Sequence, residues 1–237
     1  MQQVGLLESV QIGTPHRYAS DVHGAIGHPW HTSFVRVPSD EPRWLFTTHL
    51  EGNQQADRKN HGSLDQAVLL YAAAHYPIWR TQLGRGEIGP GGFGENFTVS
   101  GQTEMEVCVG DTYAIAASDS SDGTDNDQPA QVQVTGPRYP CWKIERRWQT
   151  PGLTACVAKT GRTGWYCRVL REGRVIPGAP LLLVARPYPH LSVALVNAFA
   201  HHTNPASDLA TAQAILDCEL INDWWQAMAQ RRLRGQE

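Results

Sequence analysis

The pattern of apolar and polar positions divides the chain into three stretches of different character. Up to about residue 50, short apolar pieces such as FVRV and RWLF are separated by Gly13, Pro15, Gly24, Gly27, Pro29, Pro38 and Pro42, which predicts short strands and loops. A helix is predicted to open at Ser63, because Ser63 and Gln66 have capping-box spacing and Leu64, Val68, Tyr71, Ala72 and His75 follow at helical intervals; Pro77 ends or bends it. Residues 84–94, GRGEIGPGGFG, are too glycine-rich for regular structure and read as a loop. Strands are predicted at about 104–109, 112–117 and 131–135, the last on the two-residue period of QVQV. Between the last two, the polar, acidic segment 118–128 reads as a mobile hairpin insertion with no part in chemistry.

Beyond Pro187 no glycine occurs until Gly235, and three helices are predicted at roughly 191–202, 207–217 and 219–232. Ser192 and Ser207 stand as caps, while Leu191, Leu195, Ala198 and Phe199, then Leu220, Trp224 and Met228, form apolar stripes. The fold class that follows is α+β: a β-rich body over residues 1–187 and a small all-α domain over 188–237. Trp224 and Trp225 are expected in the core of the three helices.

Composition narrows the classes. With 237 residues, 41% hydrophobic, 18% charged and a net charge of −3, the chain is globular and neither disordered nor fibrous. Its apolar runs fall far short of the ~20 residues that cross a bilayer, and MQQVGLLESV lacks the basic start and apolar core of a secretion signal, so a cytoplasmic protein is expected. An acidic balance removes the counterion-release drive for nucleic acid, and Arg231, Arg232 and Arg234 sit at a helix end, where they also complement its dipole. The five cysteines never form C-x-x-C, which argues against a zinc site or disulfide framework. The tryptophan-rich, weakly charged surface permits a homodimer.

Four segments carry residues able to do chemistry. In GPRYPCWKIERRW (136–148), Cys141 follows Pro140 among Arg138, Lys143, Arg146 and Arg147; cations favour a thiolate, which serves as nucleophile or soft-metal ligand, although a buried structural cysteine has the same neighbours. In GFGENFTV (92–99), Glu95 and Asn96 offer a ligand an acceptor and a donor, or cap a turn. In DRKNHGSLDQAV (57–68), His61 stands ahead of Ser63 with Arg58 and Lys59, poised to titrate near neutrality or to rest as a loop histidine. In KTGRTGWY (159–166), Arg162 lies between two glycines, a phosphate clamp or a solvated turn residue. The G-x-G-x-x-G of Gly84, Gly86 and Gly89 lacks the strand before it and helix after it that a dinucleotide site requires.

Taken in order, LEGNQQAD with NHG and Y…HY..W (50–79), GFGENFTV, PRYPCWK, TGRTGWYCRVL and RVIPGAPLLLV resemble the MOSC domain family, in the YiiM-like branch that carries a C-terminal three-helix domain. The resemblance implies a β-barrel-like body with a pocket for the molybdenum cofactor, in which Cys141 ligates molybdenum. It further implies His61 and Glu95 on the substrate side with Cys141, either one the proton donor, and Asn96, Arg138, Lys143 and Arg162 on the cofactor's polar groups. The activity implied is detoxifying reduction of N–O bonds in N-hydroxylated small molecules, hydroxylaminopurine-type base analogues and amidoximes. Because the chain has no flavin, iron–sulfur or haem motif, electrons are expected from a separate reductase. Two further readings fit the same residues: a non-catalytic carrier of the cofactor, and a metal-free thiol transferase using Cys141 with His61.

Overall fold

One strand, β1 (Gln2–Ile12), pairs with three others and so draws the main sheet into a ring. The computed structural model describes residues 1–18, 29–57, 62–116, 128–201 and 205–235. After β1 come the short strands β2 (His16–Tyr18), β3 (Trp30–Thr32), β4 (Val37–Ser39) and β5 (Arg43–Leu45), then β6 (Val68–Ala72) and β7 (Phe97–Ser100). The body continues with β8 (Thr112–Ile115), β9 (Ala130–Pro137), β10 (Trp165–Arg171), β11 (Gly173–Val175) and β12 (Ala179–Ala185). The order β12-β8-β9-β10-β6-β7-β1-β4, with β12 also paired to β1, closes seven strands into a barrel and leaves β4 attached outside the ring. Only β6 and β7 run parallel in it.

Val132 and Val134 of β9 and Trp165, Cys167 and Val169 of β10 fill the barrel interior at alternate positions, as a half-buried strand requires, and Leu7 and Val10 of β1 join them across a register shift between Leu7 and Ser9. Strand β6 is buried at every residue: Val68, Leu70 and Ala72 face the barrel core, whereas Tyr71 faces a second apolar layer outside it. That double burial explains why residues 63–76 depart from the predicted helix. A strand covered on both faces shows no polar alternation, so its apolar run mimics helical spacing. Ser63 does act as a cap, but of a single 3-10 turn, Leu64–Gln66, where its hydroxyl accepts from the Asp65 amide at 3.2 Å. The helix α1 begins only at His75 (His75–Leu83), and Pro77 sits in its first turn, where a missing N–H costs nothing.

The outer layer is completed by two short helices that sequence patterning did not indicate, α2 (Lys143–Trp148) and α3 (Leu153–Thr160). Their Ile144, Trp148, Leu153 and Val157 pack with Tyr71, Trp79 and with Phe93 and Ile88 of the 84–94 loop. That loop is irregular as predicted, yet it contributes two fully buried side chains. The strand predicted at 104–109 does not form. Val107 and Val109 instead exchange backbone hydrogen bonds with the segment leading into the next helix, Val193 N to Val107 O at 2.8 Å and Val109 N to Leu191 O at 2.9 Å. The acidic insertion predicted at 118–128 lies, except for Gln128, outside the described residues.

Three helices end the chain: α4 (Val193–His201), α5 (Pro205–Leu216) and α6 (Asp223–Leu233). Ser192 caps α4, its hydroxyl accepting from Leu195 N at 3.1 Å, but α5 opens at Pro205, two residues before Ser207, on the proline suited to a first helical position. Asn222 caps α6. Val196, Phe199, Ala212, Ile215 and Trp225 form an apolar cluster that Val109 of the body joins. The tandem tryptophans divide: Trp225 is buried, while Trp224 is 41% exposed. All five cysteines are free thiols, and no helix among the described residues is long and apolar enough to cross a membrane.

Candidate functional site

Where β9 runs out at Pro137, the chain is held for one more residue by Arg138 N donating to Gly164 O at 3.0 Å, then turns at Pro140 to present Cys141. The Cys141 carbonyl accepts from Ile144 N at 3.1 Å and from the Thr154 hydroxyl at 3.2 Å, so α2 and α3 together fix its backbone. Cys141 is half-buried, and the almost fully buried Arg138 reaches both ways from beside it. One arm of the guanidinium donates to Phe93 O at 2.9 Å, the other lies 3.7 Å from the Cys141 sulfur, and its centre stands 5.5 Å from the Phe34 ring. Phe34 in turn presses on Gly94, where φ is +79° and any Cβ would stand 2.6 Å from the ring, so only glycine fits.

Cys141 opens onto a solvent-connected hollow of about 610 Å³, whose walls bring in Ser33, Arg36, Gln66 and Lys143 besides Arg138. Arg36 donates to Asn53 Oδ1 at 3.0 Å, and its burial lowers its pKa to about 10 although nearby Glu95 works the other way. Lys143 has no hydrogen-bond or ion-pair partner among the described residues. Three buried polar atoms on the walls also lack one: Ser33 Oγ, Arg36 Nε and Gln66 Oε1. Gln66 is held out by its 3-10 turn, which is tied down by the Thr135 hydroxyl donating to Asp65 O at 2.6 Å and by Arg168 on Asp65 at 2.9 Å. Tyr166 of β10 completes the wall; burial pushes its phenol up, Arg138 opposes this and the Cys141 sulfur adds to it, so the hydroxyl stays protonated across the neutral range. Among the described residues, three cations against one carboxylate, Asp57, together with one thiol and several unpaired polar atoms make a seat for an anionic, many-armed ligand.

The MOSC domain model matches residues 57–181, more than half of the chain, and the match spans Cys141, Arg138, Lys143 and Tyr166. The chain belongs to the MOSC domain family. It is similar to protein YiiM of Escherichia coli (strain K12), at 30% identity over 92% of this chain and 94% of that protein. The crystal structure of YiiM from Geobacillus stearothermophilus superposes with a TM-score of 0.74 at 29% identity, covering 97% of this chain and 99% of that one. A protein named reductase from Gibberella moniliformis (strain M3125 / FGSC 7600) is 29% identical over 90% of this chain and 36% of its own length. The MOSC barrel here, with its C-terminal helices, therefore lies in the YiiM-like branch.

Of the residues singled out in the sequence, Cys141, Arg138, Lys143 and Asn96 meet in this MOSC hollow. Asn96 already spends part of its amide on the barrel, its Oδ1 accepting from Leu69 N at 3.2 Å and its Nδ2 donating to Gln11 O at 3.4 Å. Glu95, its neighbour, is fully buried behind the wall; it accepts from Gly91 N at 2.5 Å, Phe93 N at 3.0 Å and the Tyr76 hydroxyl, and so clasps the glycine loop. Arg162 does not join Cys141. Its guanidinium lies over the Trp79 ring at 5.3 Å, donates to Gln82 Oε1 at 3.4 Å and borders a separate hollow with His75, Glu104 and Asn197, because the turn before β10 directs it across α1. His61, with Arg58 and Lys59, lies outside the described residues.

Sequence reasoning missed Arg36, Gln66 and Tyr166. Arg36 carried no periodic signal, because residues 33–36 are irregular and strand alternation does not apply to them. Gln66 was legible only as a capping partner, a role its unpaired Oε1 does not fill. Among the described residues no three His, Cys, Asp or Glu side chains cluster closely enough to hold a metal ion. A metal at Cys141 would thus take fewer than three of these side chains from the described residues.

Proposed function

We propose that this protein binds the molybdenum cofactor in the Cys141 hollow and reduces the N–O bond of N-hydroxylated small molecules, hydroxylaminopurine-type bases and amidoximes, with electrons from a separate reductase protein. The observation that carries the reading is that the half-buried Cys141 thiol shares one hollow with Arg36, Arg138 and Lys143 and with buried polar atoms that have no protein partner. A ligand that fits must be anionic at several points, contain a soft metal that takes one thiolate, and offer hydrogen-bonding edges, which is the chemistry of a pterin dithiolene phosphate. The resemblance of the whole chain to YiiM, and the relative named reductase, support a reductive role.

When bound, the cofactor supplies the two-electron redox centre. Everything else falls to the chain. Cys141 Sγ holds the metal, and Arg138, anchored on Phe93 O, keeps that sulfur aimed into the hollow. Arg36 and Lys143 would balance the cofactor's negative charge, while Ser33 would meet its polar edge. Phe34 and Leu69 keep water from one wall. Tyr166, held protonated by burial, is placed to donate to the substrate oxygen and ease the departure of the amine or amidine. Glu95 acts at one remove, by shaping the loop beneath.

The test is elemental analysis of protein from a host that makes the cofactor, beside Cys141→Ala, followed by assay of N-hydroxylated purine with a chemical reductant. Near-stoichiometric molybdenum in the wild type, none in the variant, and turnover support the reading. Equal metal in both removes Cys141 from its role, and bound metal without turnover turns the protein into a cofactor carrier.

A further inference from the structure

A second hollow opens between the barrel and the C-terminal helices, and it shares the Gln66 and Tyr166 walls with the Cys141 hollow. Its other walls are Tyr139, two residues before Cys141, and Asn222, Trp224 and Trp225 of the α6 start. Tyr139 is 49% exposed and Trp224 41%, a large exposed aromatic surface beside the Cys141 hollow. Their rings touch at 4.9 Å and 59°, and Tyr139 also stands 5.1 Å from the His201 ring, so they form a tilted wedge whose outer surface stays exposed. Trp225, by contrast, is fixed edge-on to Trp224 at 4.8 Å and 90°, and donates to Pro137 O at 3.2 Å, so it is the rigid back of the wedge.

The polar groups at the floor narrow the ligand. Gln66 Oε1 is a buried acceptor without a donor among the described residues, and Tyr166 shares the floor with it. An aromatic wedge with one acceptor at its floor is matched by a flat nitrogen heterocycle that presents an N–H there, which leaves the Tyr166 hydroxyl for the oxygen of the exocyclic group. We infer that this hollow seats the heteroaromatic ring of the substrate, against Tyr139 and Trp224, so that its exocyclic N-hydroxyamino group passes between Gln66 and Tyr166 toward Cys141. The inference rests on the proposed N–O reduction for the direction of the ring. It also gives the C-terminal helices a part in binding, because Trp224 completes the substrate site from outside the MOSC barrel.

The experiment is calorimetric titration of adenine, a flat base with no N–O bond to reduce, into wild-type protein, Trp224→Ala and Trp224→Phe, with molybdenum measured in each. Base–aromatic stacking predicts binding by the wild type, affinity at least about fivefold weaker in Trp224→Ala at the wild type's metal content, and recovery to within about threefold in Trp224→Phe. No adenine binding by a molybdenum-loaded wild type, or equal affinity in Trp224→Ala, overturns the seat while leaving the reductase reading intact. Trp224-dependent adenine binding in protein that holds no molybdenum leaves the seat standing and removes the cofactor reading.

Discussion

The Trp225 indole donates to the Pro137 carbonyl at 3.2 Å, and so fastens α6 to the last residue of β9, four positions before Cys141. The residues on either side deepen the attachment. Asn222 N donates to Thr135 O at 2.9 Å, and Gly136, at φ +139°, has Trp225 so close that an added Cβ would lie 2.8 Å from its Cδ1. Gly136→Ala is therefore expected to lose stability through both the backbone conformation and the clash, about 1–3 kcal/mol. Urea unfolding measures this; a variant as stable as the wild type would show that α6 yields freely.

Glu95→Gln separates two roles for a carboxylate beside the hollow. Glu95 accepts from two loop amides and from the Tyr76 hydroxyl, and an amide side chain would turn an NH₂ toward one of those donors. The expected loss is about 1–3 kcal/mol of stability together with lower molybdenum content, since the loop that supports Phe34 and Arg138 loosens. If Glu95→Gln kept full stability and metal and lost turnover alone, the carboxyl would be a proton donor and not a clasp.

How far the sequence revealed this protein depended on whether local chemistry or tertiary burial decided each element. The C-terminal helices were legible because no glycine interrupts residues 188–234 and apolar residues recur there at helical spacing, and Cys141 with Arg138 and Lys143 was legible because the cations flank the thiol in sequence. The β6 strand was not: its neighbours cover both faces, and Val68–Ala72 carries no periodic polar position to betray it. The short helices α2 and α3 are too brief for a period to emerge, and tertiary packing of Ile144, Trp148 and Val157 holds them. Arg162 read as a phosphate clamp from its glycine neighbours, but the direction of its side chain is set by Trp79, which lies 83 residues earlier in the chain.

Alkaline pH should unfold the protein steeply. Burial raises the phenols of Tyr71, Tyr76, Tyr113 and Tyr166 above their ordinary range; Glu95 beside Tyr76 and Asp111 beside Tyr113 raise those two further. In the unfolded chain all four titrate near pH 10, so above about that pH the unfolded state releases protons the native state keeps, and stability falls as pH rises. Each phenol contributes a slope of up to about 1.4 kcal/mol per pH unit, and below pH ~9 none contributes. Urea midpoints should begin to fall above about pH 8, where the thiols of Cys108, Cys167 and Cys218, also raised by burial, ionise in the unfolded chain, and should drop more steeply beyond about pH 10, less sharply in Tyr113→Phe. A midpoint that holds beyond pH 11 would contradict the raised phenols.

Arg36 offers the cleanest distinction between a residue kept for folding and one kept for a ligand. Its pKa is lowered to about 10, mainly by burial, so the native state holds the charged guanidinium less well than the unfolded chain does. Its bond to Asn53 Oδ1 is expendable, because that oxygen also accepts from Gly13 N at 3.0 Å and would not be left bare. Replacing the cation by an apolar side chain of similar length removes the desolvation cost without opening a void. Arg36→Met is thus expected to unfold at the same or a higher urea concentration than wild type when both are free of cofactor. When both are produced with cofactor, the variant should carry much less molybdenum, because an anion in the hollow has lost one of three balancing cations. A variant that keeps its metal, or that loses metal and stability in parallel, would mean that Arg36 serves the barrel and that the charge of the hollow is not there for a bound anion.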